Sequence, residues 1–175
     1  FIYNIITRKR SSTKVLSILD EFSHTCFKYE CTLIPLDQYN WEKQIIEEQP
    51  DILLCESAWN SYKYGIATHD NKFTIIDKII SFCKLNSIIT IFWNKEDDLH
   101  YKRFIQIAKY FDIIFTTDNR CIPDYIKDTG NENVYCLEFA AQPKIHNPLN
   151  NNRKNDVFFA GRWYVNNLDR NKDLK

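Results

Sequence analysis

Polar and charged side chains follow a strongly apolar segment near the middle of the chain. Ile88–Asp98 reads IITIFWNKEDD, in which apolar β-forming residues end in an aromatic and four of the last five residues are charged. A lysine can neutralise a phosphate, and a carboxylate can act as a base or hold sugar hydroxyls. Asn94, Lys95, Glu96 and Asp97 are therefore the first candidate site. The alternative is a solvated loop in which Lys95 pairs with neighbouring acids.

A second polar group follows the apolar segment Asp51–Cys55. Glu56, Ser57 and Trp59 come directly after it. They leave the predicted sheet at the same edge as Trp93, whose ring precedes the first candidate loop and could stack on a sugar. The alternative is a helix cap, with Trp59 in the core.

A third group follows the first apolar segment, Lys14–Leu19. Asp20 and Glu21 stand at its carboxyl end, where open α/β sheets commonly hold a ligand or a catalytic base. The alternative is a turn followed by a helix whose N-cap is Ser23.

Two further positions complete the candidate set. Thr117 and Asp118 follow Asp112–Thr116, and Gln142 comes shortly after Val134–Phe139. Ligand contact is one interpretation of Thr117 and Asp118, and capping of the next helix is the favoured one.

The candidates are placed by a regular alternation of apolar and amphipathic segments. The predicted strands are Lys14–Leu19, Cys31–Leu36, Asp51–Cys55, the first part of Ile88–Asp98, Asp112–Thr116 and Val134–Phe139. The predicted helices are Tyr39–Glu48, Lys72–Leu85, Tyr101–Phe111 and Ile122–Lys127, with Glu21–Tyr29 as a loop or short helix. Apolar residues three and four apart mark the helices, and Trp41, Ile45 and Ile46 form the expected buried face of the first. This alternation predicts an α/β fold, an open parallel sheet with helices on both faces.

Composition excludes several classes of function. Lysine plus arginine (23) equals aspartate plus glutamate (23), so the chain has no global field to attract nucleic acid. The Arg8-Lys9-Arg10 cluster is more simply a solvated lead-in. Only three glycines are present, which excludes a Gly-x-Gly-x-x-Gly fingerprint and a P-loop.

The cysteines and histidines do not indicate a metal site. None of the six cysteines forms a Cys-x-x-Cys pair, and the four histidines lack ligand spacing, so neither metal nor another cofactor is expected. We expect no signal peptide, and the sequence printed has no apolar run approaching the ~20 residues of a membrane span. A cytoplasmic location is expected, and peripheral association with a membrane stays open.

Composition also suggests domain boundaries. The chain begins with Phe1 and lacks methionine, which suggests a processed or cut end. We expect a lead-in over 1–13, one domain over 14–148, an asparagine-rich linker over 149–155, and over 156–175 the start of a second domain, with Asp156–Ala160 as a strand before Gly161.

Six motifs in this order resemble the CgeB-like (spore maturation protein) glycosyltransferases. They are LDEFS (Leu19–Ser23), PDILLCESAW (Pro50–Trp59), IFWNKED (Ile91–Asp97), FDIIFTTD (Phe111–Asp118), FAAQPKIHNP (Phe139–Pro148) and FAGRWY (Phe159–Tyr164). The resemblance covers about Val15 to Tyr164. Arg162 departs from it, because a small residue is expected after Gly161.

The resemblance implies the N-terminal, acceptor-side Rossmann-like domain of a GT-B enzyme. Such an enzyme would transfer a sugar from a nucleotide-sugar to a glycan or protein acceptor without a bound metal. In that setting Trp59, Trp93, Asn94, Lys95 and Gln142 would line the acceptor side or the interdomain cleft, and Gly161 would belong to the nucleotide-sugar side. Asp20 and Glu96 are the candidate bases from their positions at strand ends. The alternative function is a stand-alone α/β binding or regulatory module without catalytic activity.

Overall fold

The apolar segments form a single parallel sheet. In a computed structural model, the structure describes residues 13–57, 75–149, 151–152 and 155–156. The strands are β1 (Lys14–Ile18), β2 (Thr32–Pro35), β3 (Ile52–Glu56), β4 (Ile89–Asn94), β5 (Ile113–Thr116) and β6 (Val134–Cys136). The helices are α1 (Glu21–Phe27), α2 (Trp41–Glu48), α3 (Ile76–Leu85), α4 (Tyr101–Ala108) and α5 (Ile122–Thr129), with a 3₁₀ turn at Asn119–Cys121.

The six strands lie in the order β2-β1-β3-β4-β5-β6, and every neighbouring pair is parallel. From β1 the chain moves outward to β2 and then crosses back over β1 to β3. The direction of winding therefore reverses between β1 and β3, which is the kind of switch point where open α/β sheets bind ligands.

Helices cover both faces of the sheet. Neighbouring residues of a strand point to opposite faces, and Phe92 packs against Phe104 and Phe111 while Trp93 packs against Phe27 of α1. Helix α1 thus lies on one face and α4 on the other. The predicted fold class, an α/β open parallel sheet of Rossmann-like type, is confirmed.

The helix ends have local causes in the sequence. Asp20 is the N-cap of α1, where its side chain accepts a hydrogen bond from the Ser23 amide, so the alternative that placed the cap at Ser23 is wrong. Helix α5 carries proline in its first turn and ends at Gly130, whose φ of 70° is the left-handed conformation typical of a glycine cap.

The observed elements differ from the predicted ones at a few positions. The segment Glu21–Tyr29 is a true helix over its first seven residues. The last strand ends at Cys136, three residues before its predicted end. Ile46 is 62% exposed although Trp41 and Ile45 are buried, because a residue five positions after Trp41 is rotated off the shared face. The predicted strand Asp156–Ala160 lies outside the described residues from Val157 onward.

The main core lies on the face of the sheet that carries Phe92. Leu16, Leu53, Phe92, Ile114 and the helical residues Ile76, Ile79, Phe104 and Ile107 have almost no exposed surface. The strands are buried by helices that follow them, and their carboxyl ends form a common edge to which the polar loops are attached.

Two isoleucines of neighbouring helices provide a matched test of this core. We expect Ile79→Ala to lower the free energy of unfolding by about 2–5 kcal/mol, because it leaves a cavity in a fully buried site. Ile46→Ala on the exposed face of α2 should change it by no more than about 0.5 kcal/mol. Urea unfolding followed by circular dichroism measures both, and equal losses would contradict the assigned core.

Candidate functional site

Three charged side chains meet at the switch point. Asp20 follows β1, Glu56 is the last residue of β3, and Lys95 follows β4. Because the strands are parallel, their carboxyl ends bring these residues together although 36 positions separate Asp20 from Glu56 and 75 separate Asp20 from Lys95.

The Lys95 ammonium group lies at the centre of this carboxylate–lysine cluster. Its Nζ atom is 2.8 Å from Asp20 Oδ2, 2.8 Å from Glu56 Oε2 and 3.0 Å from Ser23 Oγ. The Lys95 side chain is only 7% exposed. An ammonium group has three N–H bonds. Two of them donate to Asp20 and Ser23, and the Glu56 carboxylate balances the charge from close range.

Glu56 is the buried carboxylate of the cluster. Its side chain has no exposed surface, and Oε1 accepts a short hydrogen bond from the Asp20 amide. The contact between Lys95 and Oε2 is close but is not aligned as a hydrogen bond, so it acts mainly through charge. Burial raises the pKa of Glu56, and contacts with Lys95, Ser23 and the Asp20 amide offset only part of that rise.

Asp20 is the accessible carboxylate of the cluster. Its side chain is 34% exposed. Partial burial acts to raise the pKa of Asp20, but the hydrogen bond from Lys95 and the bond from the Ser23 amide outweigh it, so the pKa lies below its ordinary value. Asp20 is therefore ionised at neutral pH, and two donors fix its orientation.

Ser57 joins the ends of β3 and β4. Its amide donates to the Trp93 carbonyl at 3.0 Å, and its hydroxyl accepts from the Lys95 amide at 2.7 Å. Ser57 is fully buried, so both of these bonds serve to hold Lys95 in place.

The rest of the first candidate loop folds into a separate polar cluster. The Asn94 amide nitrogen donates to Asp97 at 2.7 Å and to the Tyr125 hydroxyl at 2.8 Å. The Asp97 carboxylate also accepts from the hydroxyls of Thr116 (2.7 Å) and Tyr125 (3.0 Å). Burial raises the pKa of Asp97, although the two hydroxyl bonds oppose the rise. These groups bind one another and anchor the loop that carries Lys95.

A cavity of about 330 Å³ lies beside the carboxylate–lysine cluster. It is bounded by α1, by Trp93 and by the segment 137–143 that follows β6. Four aromatic residues line it: Phe22, Phe27, Trp93 and Phe139. Trp93 is 4% exposed and faces this cavity, with its indole N–H donating to the Leu137 carbonyl at 2.9 Å.

Gln142 closes the cavity by a structural bridge. Its side-chain nitrogen donates to the Cys26 carbonyl at 2.9 Å and to Glu30 at 3.0 Å, and its oxygen accepts from the Lys144 amide. Gln142 is 6% exposed. Its amide therefore ties the segment after β6 to α1.

The remaining predicted residues lie around this edge. Glu96 is half-buried, and its carboxylate makes no hydrogen bond or ion pair within the described part of the chain. Glu21 is exposed in the first turn of α1. Asp118 caps the 3₁₀ turn and pairs with Arg120 at 2.5 Å, which agrees with the favoured capping interpretation, and Thr117 precedes it. Trp59 and Gly161 lie outside the described residues.

The apolar half of the site was not predicted from the sequence. Phe22 directly follows the selected residues Asp20 and Glu21 of LDEFS, and Phe139 opens the motif that contains Gln142. Their rings contact each other at 6.2 Å between centroids. Their signal in the sequence is an aromatic residue beside a polar strand end, the same feature that marks Trp93 as a candidate.

No group of three histidine, cysteine, aspartate or glutamate side chains suited to hold a metal ion occurs among the described residues. The helices described here are all too short or too polar to cross a membrane.

No family model matches this chain, and no match was found among curated proteins or solved structures.

Removing the central cation should destabilise the fold. We expect Lys95→Met to lower the free energy of unfolding by about 3–5 kcal/mol, because it leaves the buried Glu56 without its counter-charge. The matched control is Lys43→Met, since Lys43 is 74% exposed and pairs with Glu47, which is itself 63% exposed. The control should change stability by no more than about 0.5 kcal/mol. Equal effects in denaturant titrations would show that the cluster is not a structural ion pair.

Glu56 should also make stability depend on pH in a defined direction. A raised folded-state pKa means that the folded protein binds this proton more tightly than the unfolded chain, whose glutamate titrates near about 4.3. Relative to Glu56→Gln, the wild type should lose stability as the pH rises above that value. Urea unfolding of both proteins from about pH 4 to about pH 8 measures the difference. A wild-type advantage that grows with pH would contradict the raised pKa.

Proposed function

We propose that this protein is the acceptor-side half of a nucleotide-sugar-dependent glycosyltransferase of the GT-B type, which transfers a sugar to a glycan or protein acceptor. The observation that carries the proposal is a carboxylate, Asp20, that is ionised, oriented and accessible at the switch point beside an aromatic cavity. The resemblance of six ordered motifs to the CgeB-like glycosyltransferases supports the same assignment.

Asp20 is the best-placed general base. The acceptor hydroxyl would give its proton to Asp20 while its oxygen forms a bond to the anomeric carbon of the donor sugar. The bond from that carbon to the phosphate oxygen breaks, and the nucleotide leaves with the electron pair. Lys95 and the Ser23 amide hold the carboxylate in position for this transfer. A general base contributes about 10²–10⁴-fold to a rate.

The other carboxylates fit this role less well. Glu56 has the raised pKa that favours proton transfer, but it has no exposed surface and cannot meet a substrate. Glu96 is accessible, and within the described residues no donor fixes its carboxylate. Glu96 therefore remains the second candidate base, and Glu56 is a positioning residue.

The charges of the site favour an acceptor over the donor's phosphates. The ammonium group of Lys95 is already enclosed by Asp20, Glu56 and Ser23, and the two carboxylates balance its charge, which disfavours binding of a phosphate there. Gly130 is the one glycine of the described ranges, and it ends α5, so these ranges hold no glycine-rich phosphate loop. The nucleotide would bind to a second domain, as GT-B architecture implies.

The free cysteines support a reducing compartment. All six are free thiols, and three are buried in the core. A cytoplasmic location, where cysteines stay reduced, fits this state and the use of nucleotide-sugars.

Sugar transfer by the full-length protein tests the proposal. A panel of nucleotide-sugars with glycan and protein acceptors should give product with at least one donor. Asp20→Asn should then lower kcat by about 10²–10⁴-fold, because asparagine can still cap α1 but cannot accept the proton.

Two further variants complete this experiment. Glu96→Gln tests the second candidate, and a loss confined to it would move the base from Asp20 to Glu96. Glu47→Gln, on the exposed face of α2, should leave kcat unchanged. Absence of transfer with every donor would favour the alternative, a binding module without catalytic activity.

A further inference from the structure

The aromatic cavity has the size and the walls of a small-molecule site. Its volume of about 330 Å³ lies within the range typical of ligand pockets. The Trp93 ring is 5.9 Å from Phe27 in an edge-on arrangement and 5.5 Å from Phe139 in a tilted one. Rings at these separations and angles leave flat apolar surfaces on which another ring can stack.

The charged groups at this cavity are acidic. Glu30 and Glu138 line it, and among its described lining residues there is no lysine, arginine or histidine. Lys95 Nζ lies 5.7 Å from the centre of the Trp93 ring, but Asp20 and Glu56 balance its charge. A ligand that brings a negative charge into the cavity would be repelled and would lose its hydration without a partner.

The cavity also offers few polar groups to a sugar. The Gln142 amide is already bonded to Cys26, Glu30 and Lys144, and the Trp93 N–H is bonded to Leu137. A sugar ring would exchange many hydrogen bonds with water for few with the protein, which costs free energy. An apolar ring makes no hydrogen bonds with water and would therefore lose none on binding.

The cavity is joined to the carboxylate–lysine cluster through one side chain. Ser23 lines the cavity, and its hydroxyl lies 3.0 Å from Lys95 Nζ. A group bound among the aromatic rings is therefore held next to Asp20, which Lys95 also contacts.

We propose that this cavity binds an uncharged aromatic group and rejects anionic ones. The binding preference follows from the lining itself, whereas the biological use rests on the proposed function. In that use the group is the aromatic aglycone of an acceptor, which places an attached hydroxyl beside Asp20.

Two dyes with the same ring skeleton test the preference directly. N-phenyl-1-naphthylamine is neutral, and 8-anilinonaphthalene-1-sulfonate adds one sulfonate. The neutral dye should saturate a single site, with quenching of tryptophan fluorescence as Trp93 is covered. The sulfonate should bind more weakly by about tenfold or more. Equal affinity for the two dyes would overturn the proposal.

Three variants locate the dye. Phe139→Ala, which removes a half-exposed wall, should weaken binding of the neutral dye by about fivefold. Tyr39→Ala, an 88% exposed aromatic elsewhere, should not change it. Glu30→Gln keeps an acceptor for the Gln142 side chain while removing a negative charge. It should therefore reduce the difference in affinity between the two dyes. An unchanged affinity in Phe139→Ala would assign the dye to another surface and overturn the proposal.

These measurements separate this inference from the proposed function. Dye binding requires neither a donor nor turnover. Selective binding without any sugar transfer would retain the cavity's preference and remove the glycosyltransferase proposal. Sugar transfer without selective dye binding would retain the glycosyltransferase proposal and remove the cavity's preference for uncharged aromatic groups.

Discussion

The arrangement of the loops at the carboxyl ends of the strands depends on the contacts of the Lys95 ammonium group. This group joins the ends of β1, β3 and β4 by contacts of 2.8 to 3.0 Å with Asp20, Glu56 and Ser23. A buried ion pair of this kind seldom adds net stability over apolar residues, but loss of one partner is costly. Here the main effect of the ion pair is to fix the positions of the two carboxylates. It keeps one carboxylate ionised and accessible at the switch point of the sheet, while the other is buried beneath it.

The second constraint is the return of the chain from the far edge of the sheet. After β6 the segment 137–149 crosses to α1, because Trp93 donates to the Leu137 carbonyl and Gln142 bonds to Cys26 and Glu30. This return creates the aromatic cavity between elements that are distant in sequence. An accessible carboxylate and an apolar cavity thus share one border, the residue Ser23. The proposed sugar transfer would use both, with an apolar group held in the cavity and a hydroxyl beside the carboxylate.

Much of the fold was predictable from local patterns, and the site was predictable only in part. Apolar runs such as Ile52–Glu56 and amphipathic spacings such as those of α3 follow from the sequence itself. The parallel sheet then brings Asp20, Glu56 and Lys95 to one edge. Burial was not predictable, because it depends on packing: Glu56, Ser57 and Asn94 are polar residues at strand ends, yet none has exposed surface. The cavity was missed because Phe22 and Phe139 meet only after the chain returns across the sheet.

Lys95 holds Asp20 ionised while the buried Glu56 resists ionisation. The most direct test is a pH titration of the side-chain carboxyl carbons by NMR, with Asp20→Asn and Glu56→Gln used to assign the two signals. We expect a pKa for Asp20 below its ordinary value and a pKa for Glu56 above its own. An Asp20 signal that titrates at or above the ordinary aspartate value, about 3.9, would contradict this expectation.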